Sequence, residues 1–344
     1  MPLDRNSQAH ARKQRLLSML ADGAFHSGVD LAKKLRISRG GVWKVVGALR
    51  AAGVQVQSVP RQGYRLAHAV DLFDEDVLLK ALEPDVRGLL KRTDVLLTVD
   101  STNRFVADNP IDTPGHAQVC VAELQSAGRG RRGRSWVAPF GAGICLSIGW
   151  QFLESPPAFS ALSLAVGVAA ASALRRLGAD KVGLKWPNDL TWQDRKLGGV
   201  LIEMRGESAG PAHVVIGIGL NMLMPSATRL ALAEKQSALI ADVHEMLRER
   251  TPSRNVLAGT LVEEVIRMLL VFTREGFVPF ADEWTRLDTL ANAPVKIISG
   301  TDTLLGIARG VEADGALRVD VDGELRRFVS GEVSLRRNEQ RAVS

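Results

Sequence analysis

Gly128-Arg129-Gly130-Arg131-Arg132-Gly133-Arg134-Ser135-Trp136 sets four arginines among three glycines and closes on a tryptophan. Glycine lets the backbone take positive φ and approach a ligand closely. Arginine is a fixed, always charged fork for carboxylate and phosphate. Trp136 adds a flat face on which a purine can stack. In a disordered tail such a run would read as a solvated nucleic-acid patch. Here it lies between two apolar strand-like runs, near 118–123 and 144–150, so an anion-binding loop of a folded domain is expected.

Outward from this loop, further short strands are expected near 95–99, 182–186, 197–205 and 213–220, with one long helix over roughly 159–178. Strands mixed with helices predict an α+β sheet domain. Helices are expected at 255–275 and 279–288. From Pro294 onward, short Val- and Ile-rich strands alternate with turns such as Ala313-Asp314-Gly315 and Asp322-Gly323, the pattern of a small antiparallel barrel. Residues 70–94, rich in Leu and Asp, read as a connecting segment.

Upstream, residues 9–66 have a pattern of their own. Helical periodicity runs from Ala9 to Ala21. Ser27, with Asp30 three residues on, reads as an N-cap in a capping box, and Ser38 as a second N-cap. Val42, Val45, Val46 and Leu49 fall at i, i+3, i+4 and i+7, one apolar helix face. Val54, Val56 and the turn Val59 to Tyr64 suggest a hairpin. Three helices and a hairpin give the winged helix-turn-helix order. Arg39 and Lys44 lie off the apolar face, and Arg61 and Arg65 on the wing, where DNA contacts are made. Gly40, Gly41 and Gly47 sit in the expected recognition helix, each costing about 1 kcal/mol against Ala. Trp43, being apolar, reads as core packing rather than as a DNA contact.

The chain has 344 residues, 46% hydrophobic and 24% charged, with a net charge of +6, as in a soluble protein of two or three domains. Two cysteines, Cys120 and Cys145, exclude a disulfide framework, and the six histidines form no HExxH pair. Met1 to Gln14 is polar, with no secretory signal. The apolar stretch Ala161–Leu174 is too short to span a bilayer. A cytoplasmic protein without a membrane partner is expected.

Three further segments carry chemistry. Lys185-Trp186-Pro187-Asn188-Asp189 puts an amide and a carboxylate beyond a strand end, where they can meet Mg²⁺ or nucleotide hydroxyls. Lys196-Leu197-Gly198-Gly199 opens an apolar strand with a lysine and two glycines. Gly217-Ile218-Gly219-Leu220-Asn221-Met222 follows a strand but does not complete the dinucleotide GxGxxG fingerprint. Alone, the first reads as an ordinary strand-ending turn, the second equally as a β-bulge with a surface lysine, and the third is a weak signal.

In this order, with Asp100-Ser101-Thr102-Asn103, Gln125 and the closing Gly331-Glu332-Val333-Ser334-Leu335-Arg336, they resemble biotin protein ligases. With the N-terminal domain the chain resembles the bifunctional biotin ligase and biotin-operon repressor family, over nearly its whole length. The resemblance implies a winged helix-turn-helix domain (1–68), a catalytic domain related to class II aminoacyl-tRNA synthetases (69–290) and an SH3-like C-terminal barrel (291–344). It implies ATP-dependent activation of biotin to biotinyl-5'-AMP and transfer to a lysine of a biotin carboxyl carrier protein. Lys196 and Arg131 would be catalytic. Ser101, Thr102, Asn103, Gln125, Gly128, Arg129, Arg131, Lys196 and Gly199 would bind biotin. Arg129, Arg131, Arg132, Arg134, Trp136, Asn188, Asp189, Asn221 and Arg336 would bind ATP or the adenylate, with Asp189 on Mg²⁺. Ser38, Arg39, Lys44, Arg61 and Arg65 would meet an operator, bound by a ligand-promoted homodimer. Two rivals are a lipoate or octanoate ligase and a ligand-responsive transcription factor with an inactive catalytic centre. The Arg-Gly loop with the Ser-Thr-Asn and Lys-Trp-Pro-Asn-Asp segments favours biotin over the first. Intact Lys196, Arg131 and Asp189 argue against the second.

Overall fold

The structure is a computed structural model that describes residues 5–154, 158–206, 212–236, 239–299, 302–329 and 334–337. Its first three helices are α1 (Arg5–Leu20), α2 (Gly28–Leu35) and α3 (Arg39–Ala51), followed by the hairpin β1 (Val56–Val59) and β2 (Gly63–Leu66). Ser27 Oγ accepts from Asp30 N at 3.0 Å and donates to its carboxylate at 2.7 Å, so the cap is reciprocal. Arg36, at φ 55°, ends α2, and Ser38 opens α3. Leu16, Leu17 and Leu20 of α1, Leu31 and Leu35 of α2, and Val42, Val46 and Leu49 of α3 share one core. Val45, expected on the same face, is half-buried. The same cluster takes in Val70, Leu97 and Phe140, so the helical unit is packed onto the rest of the chain rather than tethered to it.

Residues 70–94, expected as a connection, instead carry α4 (Glu75–Lys80), α5 (Pro84–Arg87) and the start of β3 (Leu90–Val99). The signals were short: an Asp74 cap on α4 and Pro84 at the head of α5. The central sheet continues with α6 (Thr102–Asp108), β4 (Ala117–Gln125), β5 (Gly143–Phe152), α7 (Leu162–Arg176), β6 (Gly183–Lys185), β7 (Asp189–Trp192), β8 (Arg195–Gly206) and β9 (Ala212–Asn221). Its strand order is β3-β4-β5-β9-β8-β7-β6, with β3 and β4 parallel and the other neighbours antiparallel.

Strand alternation splits the sheet into two chemistries. Ile144, Leu146, Ile148 and Trp150 join the large core with α7 and with α10 (Arg254–Glu275). Cys145, Ser147 and Gly149 point the other way, toward α6. By length and composition Phe159–Arg176 would pass for a membrane span, longer than the sequence suggested; it is mostly buried and is the core helix α7. Between β9 and α10 lie α8 (Ser226–Gln236) and α9 (Val243–Leu247), neither expected, and α11 (Ala281–Leu287) follows α10.

The last unit is a five-stranded antiparallel sheet. Its strands are β10 (Pro294–Ser299), β11 (Asp302–Val311), β12 (Leu317–Val321), β13 (Glu324–Phe328) and β14 (Ser334–Arg337), in the order β13-β12-β11-β10-β14. Val295, Ile297, Leu317, Val319 and Leu335 belong to the large core, so this sheet packs on the central unit. Trp186 fastens the two: its buried indole donates to Gly315 O at 3.1 Å.

Candidate active site

A cleft opens on the glycine side of the central sheet. Its floor follows from strand register. Gly219 pairs with Cys145 on β5 and Gly199 on β8, and Gly217 pairs with Ser147 and Leu201, so all six share one face. A Cβ at Gly219 would lie 2.4 Å from the Trp136 ring, and one at Gly217 would lie 2.2 Å from Asn103 Oδ1. The incomplete GxG motif is therefore a flat floor. Burial pushes the Cys145 thiol up to about 11, so this residue lines the floor as a neutral group.

One wall is a buried hydrogen-bond network. Gln125 Oε1 accepts from Thr102 N at 2.8 Å and from its hydroxyl at 3.1 Å. Ser147 Oγ lies 2.7 Å from Thr102 Oγ1 and 2.6 Å from Asn103 Oδ1. Asn103 Nδ2 donates to Glu203 at 2.9 Å, and Glu203 pairs with Arg129 at 2.7 Å. These bonds fix the amides and hydroxyls before a ligand enters. Ser101 begins α6 without capping it by its side chain, which leaves that hydroxyl for the cleft.

The opposite wall is the arginine loop. Trp136 N donates to Gly128 O at 2.9 Å and Gly130 N to Arg134 O at 2.7 Å, which closes the loop into a tight hairpin. Arg132 and Gly133 turn its tip at φ 57° and 70°. Arg131 Nη1 donates to Asn188 Oδ1 at 3.2 Å. Burial lowers the Arg131 pKa, Arg134 and Arg132 add to the fall, and Asp189 opposes it; an incoming anion is the natural partner for this cation. Arg134 Nε reaches Arg131 O at 3.4 Å.

Lys196 stands at the end of the cleft with its ammonium 2.5 Å from Asp189. Its backbone is held by Leu239 O and Ala241 N, at 2.8 and 2.9 Å. Asn221, expected at the nucleotide, spends both amide hydrogens on Lys196 O and Ala241 O, at 3.2 and 3.0 Å, so it positions the lysine. Asn188 likewise spends its amide on Val200 O at 2.6 Å and its oxygen on Arg131. Gly128, Arg132 and Asp189 do not line the cleft; the other described site residues do. The side chain of Arg336, and residues Gly331 to Val333, lie outside the described residues.

Sequence reasoning missed the roof. Leu232 of α8 and Ile240 close the cleft, and one side chain holds that segment at both ends. Arg229 donates to Met224 O at 3.1 Å and Ile240 O at 3.3 Å, pairs with Glu245 at 2.8 Å, and also pairs with buried Asp242. No periodicity announces such a latch. No group of three or more His, Cys, Asp or Glu suited to a metal occurs among the described residues. With Asp189 paired to Lys196 and Glu203 paired to Arg129, Mg²⁺ fits only as an ion held chiefly by phosphate oxygens and water.

In the N-terminal unit, Arg39, Lys44 and Arg61 are exposed. Ser38, expected at DNA, uses its hydroxyl to accept from Gly41 N at 3.1 Å. Arg65 lies 4.5 Å over Phe25 and donates to Gln57 at 2.8 Å, which braces the wing. Trp43 is 65% exposed, so core packing does not explain it.

The fold and cleft place the chain in a class. Residues 95–221 match the biotin/lipoate A/B protein ligase family, residues 12–65 an HTH domain, and residues 292–336 the biotin protein ligase C-terminal domain. The biotin protein ligase from Aquifex aeolicus in complex with biotin and ATP shares the fold. Its TM-score is 0.60 at 24% identity, over 72% of this chain and 100% of that one. The chain is 32% identical to the biotin–[acetyl-CoA-carboxylase] ligase of Mycobacterium tuberculosis, over 71% of this chain and 88% of the relative. It is 40% identical to the bifunctional ligase/repressor BirA of Salmonella typhimurium, over 94% of this chain and 97% of the relative. The chain belongs to the bifunctional ligase/repressor family of biotin protein ligases.

Proposed function

We propose that this protein is an ATP-dependent biotin protein ligase that is also a biotinyl-AMP-dependent repressor. One observation carries the ligase reading: a glycine-floored cleft whose prearranged polar wall faces two cations, Arg131 and Lys196. Ser101, Thr102, Asn103 and Gln125 suit the ureido ring of biotin. Gly217 and Gly219 let Asn103 and Trp136 lie close on the sheet, and these side chains with Gly199 bound a seat for a flat bicycle. Trp136 offers its face to the apolar tail or to adenine, and Arg129, Arg131, Arg132, Arg134 and Arg336 serve the adenylate. The central sheet is read as the class II synthetase-like core and the five-stranded sheet as an SH3-like barrel. Two free, buried cysteines suit the cytoplasm.

Biotin carboxylate and ATP α-phosphate are both anions, so their approach needs neutralisation. Lys196 gives up its contact with Asp189 to meet both oxygens, and Arg131 balances the charge that builds in the transition state. The carboxylate oxygen bonds to the α-phosphorus and pyrophosphate leaves. Mg²⁺ would supply charge neutralisation on the triphosphate, and Asp189 would be the residue to hold it. The mixed anhydride hydrolyses in water, and the arginine loop and α8 shield it. The neutral amine of a carrier-protein lysine then attacks the activated carbonyl, AMP leaves, and the amine proton passes to solvent.

Ligand-promoted pairing of two protomers is part of this reading. Beyond Val200, β8 has a strand neighbour on one side only among the described residues, and such an edge pairs readily. Two helix-turn-helix units on one dimer then meet two operator half-sites. The deciding assay supplies ATP, Mg²⁺, a carrier domain and either labelled biotin or labelled lipoate. Transfer of biotin alone supports the ligase. Transfer of lipoate alone refutes it, and no transfer of either favours the inactive-centre rival.

A further inference from the structure

The exposed face of α3 has a composition its own fold does not require. Val42, Val46 and Leu49 point into the core, while Arg39, Gly40, Trp43, Lys44 and Gly47 are exposed. Positions 40, 43, 44 and 47 lie along one helical stripe. Of the three glycines, only Gly41 is closely packed: a Cβ there would come within 3.2 Å of Ile37, whose side chain would have to shift. At Gly47 a Cβ would meet nothing within 4 Å, and at Gly40 only Ser38 Oγ at 3.8 Å. Neither has positive φ. Gly47 therefore weakens the helix with no return inside the chain. Between these bare stretches of backbone stands an indole that is 65% exposed.

A surface that closes on this stripe from outside accounts for both features. The charge says which surface: α3 carries Arg39, Lys44 and Arg50 and no acidic residue, and Arg61 is exposed on the wing. That complements phosphate. A major groove admits a helix, and the apolar group it displays on base edges is the C5-methyl of thymine.

We infer that Trp43 is a specificity-determining residue for DNA, reading thymine through contact between its indole and the C5-methyl. Gly40 and Gly47 let the α3 backbone sit closer to the bases than alanine would allow. This rests on the repressor reading above. It adds which base is read, and by what.

Duplexes selected from a random library by the full-length protein with biotin, ATP and Mg²⁺ supply the site. Each deoxythymidine is then replaced by deoxyuridine, which removes one methyl and leaves the hydrogen-bonding edge unchanged. At one thymine or more per half-site, the wild type loses about five- to tenfold in affinity by fluorescence anisotropy. The Trp43→Ala protein binds the two duplexes equally. Gly47→Ala melts at or above the wild-type temperature and yet binds the selected duplex more weakly. If every uracil duplex binds the wild type like its parent, or Trp43→Ala keeps the thymine preference, the inference is overturned and the repressor reading stands. If Gly47→Ala binds as tightly as wild type, the close-approach half fails. If no duplex is enriched, the repressor reading falls, and the inference with it.

Discussion

Lys196 shows how a residue's company sets its task. Its ammonium is parked on Asp189, its main chain is bolted to Leu239 and Ala241, and its position is checked by Asn221. Lys196→Ala removes the charge but none of the backbone bonds. Biotin-dependent pyrophosphate exchange should fall about 10²- to 10³-fold with an unchanged melting temperature; exchange at the wild-type rate would refute the role. Gly219 makes the complementary point, since its function is to have no side chain. In Gly219→Ala the new methyl drives into the Trp136 ring from 2.4 Å and displaces the indole from the floor. Calorimetric titration should show biotin binding weakened about tenfold or more. Undiminished biotin affinity would mean that the floor is not the biotin seat.

Among the elements, α8 is the roof and Arg229 its latch. A single guanidinium bonds the carbonyls of Met224 and Ile240, one at each end of the segment. Arg229→Ala frees both ends and strips buried Asp242 of its counter-charge. The activated intermediate should then reach water, so AMP release without any acceptor protein should rise several-fold over wild type. A leak rate equal to wild type would remove α8 from the shielding role. After α11, Asp288 joins the central sheet to the last one and bridges to Leu184. Burial raises its carboxyl to about 6, only partly offset by the Leu290 N–H, which it accepts at 2.9 Å. Folded Asp288 thus holds a proton that the unfolded chain, at an ordinary 3.8, has lost. Its contribution to stability is full below that value, declines as pH rises through about 6, and is a penalty at neutral pH. Asp288→Asn keeps an oxygen for the Leu290 bond. It should raise the melting temperature at pH 7.5 and leave it unchanged at pH 3.5; an equal shift at both would show that the charge is irrelevant.

For the whole molecule, the N-terminal unit is wired to the cleft as well as packed on it. Arg254, buried, donates to Glu123 at 2.7 Å, Asp71 O at 2.8 Å and Gly143 O at 2.8 Å, and stacks 4.1 Å from Phe73. It ties the segment leaving the helix-turn-helix unit to β5 and to β4, two residues short of Gln125. The four chemical segments all lie past residue 68, so a protein without residues 1–68 should keep ligase activity at low temperature and lose DNA binding. It should also bare Val70, Leu97 and Phe140. At about 1.5–3 kcal/mol for each large apolar side chain returned to water, a clear fall in melting temperature and more dye binding are expected. A melting temperature equal to that of the full chain would show that the shared core is immaterial.

Sequence alone determined what is local. The 3.6-residue and two-residue periods delimited α1 to α3, α7, α10, α11 and most strands, because one buried face writes its period directly into the chain. Charged groups within a few residues of a glycine turn identified the arginine loop and Lys196. Short elements with few apolar positions, such as α4, α5, α6 and α9, left too little period to read. Tertiary structure decided what depends on partners far apart in the chain. Register alone puts Gly199, Gly217, Gly219 and Cys145 on one floor. Packing turned Trp43 outward and Trp186 inward. Long-range hydrogen bonds also give Asn188 and Asn221 a positioning task at the cleft, because their amide nitrogens hold main-chain carbonyls of β8 and of the segment before α9.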